Sequence, residues 1–174
     1  VLTDEKYFQG KLSYVTDVKK SVDLPVLRKD FIIDPYQIYE AQSAGADAIL
    51  LIAALLSEDK IQHFLDLAQE LEMDCLVEVH TEAELKKVLQ TSADIIGINN
   101  RDLATFSVNL DTTFHLRSMI PEGKIIVSES GIKSRAEILR LLDNVINAIL
   151  IGETFMKSND ISAKLHELLG NIES

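Results

Sequence analysis

Four apolar runs in this chain of 174 residues end on side chains that can bind a substrate or move a proton. LPVLRKDF (24–31) carries Lys29, DCLVEVH (74–80) carries Glu78, DIIGIN (94–99) ends on Asn99 and KIIVSE (124–129) ends on Glu129. Side chains alternate along a strand, so Leu27, Lys29 and Phe31 share one side, and the other three polar residues each share a side with preceding apolar ones. A charge on the core side is costly unless it lies at the open end of the core, facing a ligand or an opposite charge. One such lysine would most simply snorkel to the surface; four such residues mark a site.

The residue types narrow the chemistry. A lysine so placed acts as a general acid, as the partner of a developing oxyanion, or as a Schiff-base nucleophile. Glu78 and Glu129 suit acid–base work or the holding of substrate hydroxyls, against the plainer use as a salt bridge to Lys29 or Arg101. Asn99 donates and accepts without titrating, so it orients. Arg101 matches a carboxylate or phosphate, with a link to Asp102 as the competing use. Ser130-Gly131 and Gly152-Glu153 follow the last two apolar runs. Main-chain N–H groups beside those glycines can receive a phosphate, although a simple strand-to-helix turn explains each glycine equally well. Phe31 and Leu50 could wall an aromatic substrate, but such residues more often only fill a core. Together these features describe a sugar-phosphate enzyme and stop short of a reaction.

Composition removes several classes. Apolar residues at 47% and charged ones at 26% are the profile of a globular protein. The length suits a single domain over 1–174 with one core. A net charge of −11 argues against nucleic acid and anionic membrane as partners. The lone Cys75 excludes an internal disulfide and suits a reducing compartment, so a cytoplasmic location is expected, with the thiol buried and inert. There is no signal-peptide pattern, and the longest apolar stretch, 46–56, contains Asp47 and falls short of the ~18–20 residues a membrane helix needs. His63, His80, His115 and His166 are scattered without metal-ligand spacing, so neither metal nor cofactor is expected.

The elements that must position these residues alternate. VLT at the start reads as the tail of a strand, and 12–22 as a weak helix. From Leu24 a unit of strand, polar end, helix and turn repeats, with strands over 24–31, 46–53, 74–80, 94–99, 124–129 and 147–151. Asp34-Pro35 and Gly45 bracket the first helix, and Ser57 caps the next, which carries Ile61, Phe64, Leu65, Ala68 and Leu71. Thr81–Glu84 and Ser134–Glu137 read as capping boxes, the second opening the helix of Ile138, Leu141 and Leu142. Further helices are expected over 111–119 and 161–169. Such alternation means parallel βα units, in a (β/α)8 barrel or an open doubly wound sheet. The glycine-rich first turn of the open sheet is missing, and polar residues gather at strand C-termini, where a barrel builds its site. The expected fold is therefore an α/β TIM barrel.

VLTDEKYFQG, LPVLRKDF, ADAILLIAALL, LVEVH, GINNRDL, SESGI and AILIGETFM, in this order and spacing, resemble the indole-3-glycerol-phosphate synthase family of tryptophan biosynthesis. The resemblance runs nearly end to end. It implies a carbon–carbon lyase that closes the indole ring of 1-(2-carboxyphenylamino)-1-deoxyribulose 5-phosphate with loss of carbon dioxide and water, without metal or organic cofactor. By that resemblance Lys29 is the general acid at the ribulose carbonyl, and Glu78 assists later proton transfers. Asn99 and Glu129 hold the substrate and the developing hydroxyl with Arg101 beside them. Ser130, Gly131, Gly152 and Glu153 fall on the phosphate side, Glu153 standing where many members have serine. Phe31 and Leu50 fall on the wall that packs the anthranilate ring. Members of the family also carry an earlier strand with a glutamate and a second lysine, so the barrel is expected to be incomplete at the N-terminus: its first strand is absent and only the end of its second is present. An open barrel edge would invite self-association and leave the chain inactive alone. The alternatives are a related phosphate-binding isomerase such as phosphoribosylanthranilate isomerase, a Schiff-base aldolase, and a noncatalytic partial-barrel fragment.

Overall fold

Side-chain caps punctuate the chain where the sequence places them. In the computed structural model, which describes residues 1–102 and 105–170, Asp34 caps a helix over Pro35–Ala44 with a full capping box to Gln37, and Gly45 ends it at φ 90°. Ser57 accepts from the Lys60 N–H at the start of Glu58–Glu70, and Ser134 forms its expected box with Glu137 ahead of Arg135–Asp143. These caps satisfy donors that the first helical turn leaves open, so helix starts are written locally.

In chain order the helices are α1 (Glu5–Phe8), α2 (Ser13–Ser21), α3 (Pro35–Ala44), α4 (Glu58–Glu70), α5 (Glu82–Val88), α6 (Asp111–Arg117), α7 (Arg135–Asp143), α8 (Glu153–Met156) and α9 (Ile161–Leu169). The strands are β1 (Leu27–Arg28), β2 (Ala48–Ile52), β3 (Asp74–Val79), β4 (Ile95–Asn99), β5 (Ile125–Glu129) and β6 (Ala148–Leu150). The chain divides into two compact units, Val1–Ile95 and Ile96–Ser174.

In the first unit β1, β2 and β3 are parallel neighbours, with Leu27 opposite Ala48, Leu50 opposite Leu76 and Ile52 opposite Glu78. Leu2 bridges Lys29 in parallel, as the strand-like reading of VLT expects. In the second unit β4, β5 and β6 follow one another in order, and Glu129 stands opposite Leu150. Strand order thus follows chain order, with a helix returning after each strand, the construction of a (β/α)8 barrel rather than of a sheet whose order reverses.

Several expectations need correcting. The first strand is far shorter than 24–31: ladder pairing is confined to Leu27 and Arg28, with Lys29 held by a single bridge to Leu2, and Pro25 lacks the donor an earlier start would need. Short helices α1 and α8 carry too few residues for a periodic signal. Leu142 is 59% exposed, and α7 buries Ile138 and Leu141 alone. In α4 the buried set is Ile61, Phe64, Leu67 and Ala68, with Leu65 and Leu71 only half-buried. The Thr81–Glu84 box is not reciprocal. Thr81 accepts from the Glu84 N–H, but the Glu84 carboxylate reaches back to the N–H of His80, one residue early. The last residue of GINNRDL, Leu103, lies outside the described residues.

Candidate functional site

Alternation in the first unit sets Leu27, Lys29, Leu50, Ile52, Leu76, Glu78 and His80 on one side of the strands, and Arg28, Ile49, Leu51 and Val77 on the side of the helices. Lys29 and Glu78 meet there, Nζ donating to Oε2 over 3.1 Å. The Lys29 side chain keeps 25% of its exposure, whereas that of Glu78 keeps 3%. The pair is therefore open to a ligand at its cationic end. His80, which sequence reasoning passed over as a scattered histidine, lies with Nε2 3.2 Å from Glu78 Oε1 and Nδ1 3.1 Å from Glu84 Oε2. Its contact with Glu78 is an ion pair without a well-aligned hydrogen bond. Burial pushes the imidazole pKa down, but the close contacts and negative charges of Glu78 and Glu84 outweigh it and raise it to about 9. The signal for His80 was present: it shares the parity of Glu78.

Arg28, also passed over, is 4% exposed and ties the end of β1 to α3 through Gln37 O at 2.7 Å and Glu40, with Asp30 at 3.1 Å. Phe31 is half-buried and packs against Phe8 (stacked, 5.9 Å) and Tyr7 (edge-on, 5.9 Å), giving a partly open aromatic group. Leu50 is 1% exposed and sits in the core. Burial and the neighbouring Asp74 carboxylate push the Cys75 thiol up to about 12, so it is inert at neutral pH.

In the second unit the side chain of Asn99 turns back to accept the Arg101 N–H at 3.0 Å. Arg101 binds Glu153, which Lys157 also engages, and both cations hold the Glu153 carboxyl below the usual range. Glu129, at the end of β5, is 1% exposed. Asn100 is the hub that the sequence did not announce. It accepts from Thr113 N (3.2 Å) and Oγ1 (2.8 Å) and donates to Ser128 Oγ, Glu129 O and Ser130 O. Those bonds hold Ser130 (φ 66°) and Gly131 (φ 82°) in successive left-handed conformations. A Cβ on Gly131 would come 2.4 Å from Val108 Cγ1, so that side chain would have to shift, and the φ of 82° itself favours glycine. Gly152, by contrast, has an ordinary φ of −123° and open space where a Cβ would go. A cavity of about 220 Å³ lined by Ile138, Ile149, Ile151, Phe155 and the leucines of α9 contains no titratable group.

The structure thus brings together Lys29 with Glu78, Asn99 with the Arg101 main chain, and Arg101 with Glu153. No group of three or more potential metal ligands exists among the described residues, and no described helix is long and apolar enough to cross a membrane.

Strand order and strand-end chemistry define a (β/α)8-barrel protein, and solved structures agree. The tryptophan synthase α2β2 complex of Pyrococcus furiosus contributes a chain that matches with a TM-score of 0.70 over 92% of this chain and 71% of its own, at 16% identity. A structure titled native KDPGal matches at 0.64 over 94% and 73%, at 11% identity. Likeness at those identities speaks for the fold alone. The indole-3-glycerol phosphate synthase family model matches residues 1–168, and the chain belongs to that family. The synthase of Endomicrobium trichonymphae is 52% identical over 97% of this chain, and that of Caldanaerobacter subterraneus subsp. tengcongensis 53% identical over 92%. The chain spans 65% and 62% of the lengths of these two relatives.

Proposed function

We propose that these residues carry the ring-closing chemistry of indole-3-glycerol phosphate synthase, within one domain of a cytoplasmic enzyme of tryptophan biosynthesis. The substrate is 1-(2-carboxyphenylamino)-1-deoxyribulose 5-phosphate, a small sugar phosphate bearing an anthranilate ring. The observation that supports this reading best is the Lys29–Glu78 pair, 3.1 Å apart with its ammonium end partly open. Lys29 donates a proton to the ribulose carbonyl oxygen as the aryl carbon attacks the carbonyl carbon, so that no free alkoxide forms. Carbon dioxide then leaves the ring carbon, and the new hydroxyl departs as water with a second proton, delivered by Lys29 once solvent has reprotonated it. Glu78 collects the proton that the ring system gives up as it becomes aromatic.

The remaining roles follow from residue chemistry. Asn99 and Glu129 orient the substrate and the departing hydroxyl. Arg101 offers a planar donor pair to an anionic group of the substrate, in place of its bond to Glu153. Phe31 and Leu50 line the anthranilate side. Main-chain N–H groups around Ser130, Gly131, Gly152 and Glu153 face the phosphate, and the free space at Gly152 is compatible with close approach of an anion. The test is indole fluorescence after the substrate is added to the full-length protein that contains these 174 residues. Fluorescent product is expected; a folded sample that yields none overturns the reading.

A further inference from the structure

The Glu78 carboxylate is gripped from two directions. Lys29 Nζ lies 3.1 Å from Oε2 and His80 Nε2 lies 3.2 Å from Oε1. His80 is braced on its far side by Glu84, whose Oε2 is 3.1 Å from Nδ1 and accepts the His80 main-chain N–H at 2.7 Å. The cluster is enclosed, with side-chain exposures of 7% for His80, 3% for Glu78 and 17% for Glu84. The plain reading of a histidine ahead of α5 is that it helps cap the helix. That role does not need the ring, because Thr81 caps α5 and Glu84 already satisfies the main-chain N–H. Both ring nitrogens face carboxylate oxygens, and a neutral imidazole would present a lone pair to one of them. The arrangement therefore calls for the doubly protonated ring.

We propose that His80 is a positioning residue: as an imidazolium braced by Glu84, it holds Glu78 Oε1 and so aims Oε2 at Lys29. The inference rests on the reading of Lys29 and Glu78 as the acid–base pair. Charges then alternate from Lys29 through Glu78 and His80 to Glu84. The groups facing the ring are Glu78 from β3, which His80 follows, and Glu84 from α5, with Lys29, next after β1, beyond Glu78. Without the clamp the carboxylate gains rotamers, and proton exchange with Lys29 occurs over a varying distance. A misplacement of about 1 Å in a reacting group costs as much as ~10²-fold in rate.

The experiment combines ring ¹⁵N NMR with steady-state kinetics on wild type, His80→Gln and Glu84→Gln, each verified as folded by circular dichroism. Glu84→Gln leaves every atom of the acid–base pair in place, so it keeps the test sound where His80→Gln fails to fold. The expected NMR result is an imidazolium at neutral pH in wild type that titrates about 9 and loses its proton at lower pH in Glu84→Gln. The expected kinetic result is a kcat lower by about 10–100-fold with KM little changed, the mark of an interaction made in the transition state. A neutral ring at neutral pH, or an unaltered kcat in the variants while Lys29→Ala is inactive, overturns this inference alone. If Lys29→Ala also keeps full turnover, the reading of the acid–base pair fails and this inference falls with it.

Discussion

The two units of the molecule bury polarity in opposite ways. Val1–Ile95 buries charge: Arg28 among Asp30, Glu40 and Thr3, and Glu78 between Lys29 and His80. Ile96–Ser174 buries the neutral network of Asn100, Thr113 and Ser128, at 2%, 0% and 0% exposure, and leaves its ion pairs Arg101–Glu153 and Arg140–Asp111 on the surface. Desolvating an ion pair costs several kcal/mol per ion, and an apolar replacement of similar shape is often as stable. A neutral network with every donor and acceptor matched carries no such penalty and fixes geometry tightly. On the proposed reading, titratable chemistry falls mainly to the first unit and the shaping of the strand-end loops to the second. Glu129, buried at 1% in the second unit, is the residue that crosses this division.

The sharpest way to break the contrast is Lys29→Ala, expected to cut turnover by about 10²–10⁴-fold, the worth of a positioned general acid. Lys29→Arg should recover little, since guanidinium does not give up its proton. Near-normal turnover in either variant would leave the first unit with a merely structural ion pair.

Next in size is Asn100→Leu, which removes the amide that joins Thr113, Ser128 and the Ser130 carbonyl, leaves the two hydroxyls with only each other, and frees the Ser130 turn. Each buried group left without a partner costs about 1–3 kcal/mol. The denaturant midpoint should fall with the slope unchanged, and by the same amount throughout pH 6.5 to about 9, because none of these groups titrates in that window.

The first unit should behave differently with pH. The His80 pKa is raised from 6.5 to about 9 on folding, so its contribution to stability is full below 6.5 and is lost as pH rises through about 9. Thermal melts should therefore show Tm falling over that interval, and His80→Gln should flatten the fall. Glu84, whose pKa is lowered against the opposing effect of burial by the His80 ring and N–H, contributes stability that disappears at the acid end instead. A wild-type Tm that is level across the alkaline window would show that the imidazolium is absent. The smallest effect belongs to Glu153→Gln. Its carboxylate is solvated, so Tm should not move measurably although two cations contact it.

Much of the framework was legible in the residues themselves. Helix starts at Asp34, Ser57, Thr81 and Ser134, the Gly45 stop and the whole of α9 came through, because caps and periodicity are local and involve neighbours a few residues apart. The parity argument also placed Lys29 and Glu78 on one face, since alternation is a property of any strand. The extent of β1 was not legible, because Pro25 and a single bridge at Lys29 limit pairing that apolar content alone suggests. The limits of β1 depend on a neighbouring strand that brings its own register.

By itself the sequence determined a βα repeat, its family and the candidate residues at strand ends. Tertiary structure alone decided the partners that several of them meet. It paired Lys29 with Glu78, made Asn100 rather than Asn99 the buried hub, and turned the Glu84 carboxylate from a helix cap into a brace for His80. The physical reason is separation along the chain: Lys29 and Glu78 are 49 residues apart, and Asn100 and Ser128 are 28 apart. Hydrogen bonds act over about 3 Å, so such partners meet only after parallel strands have set their register.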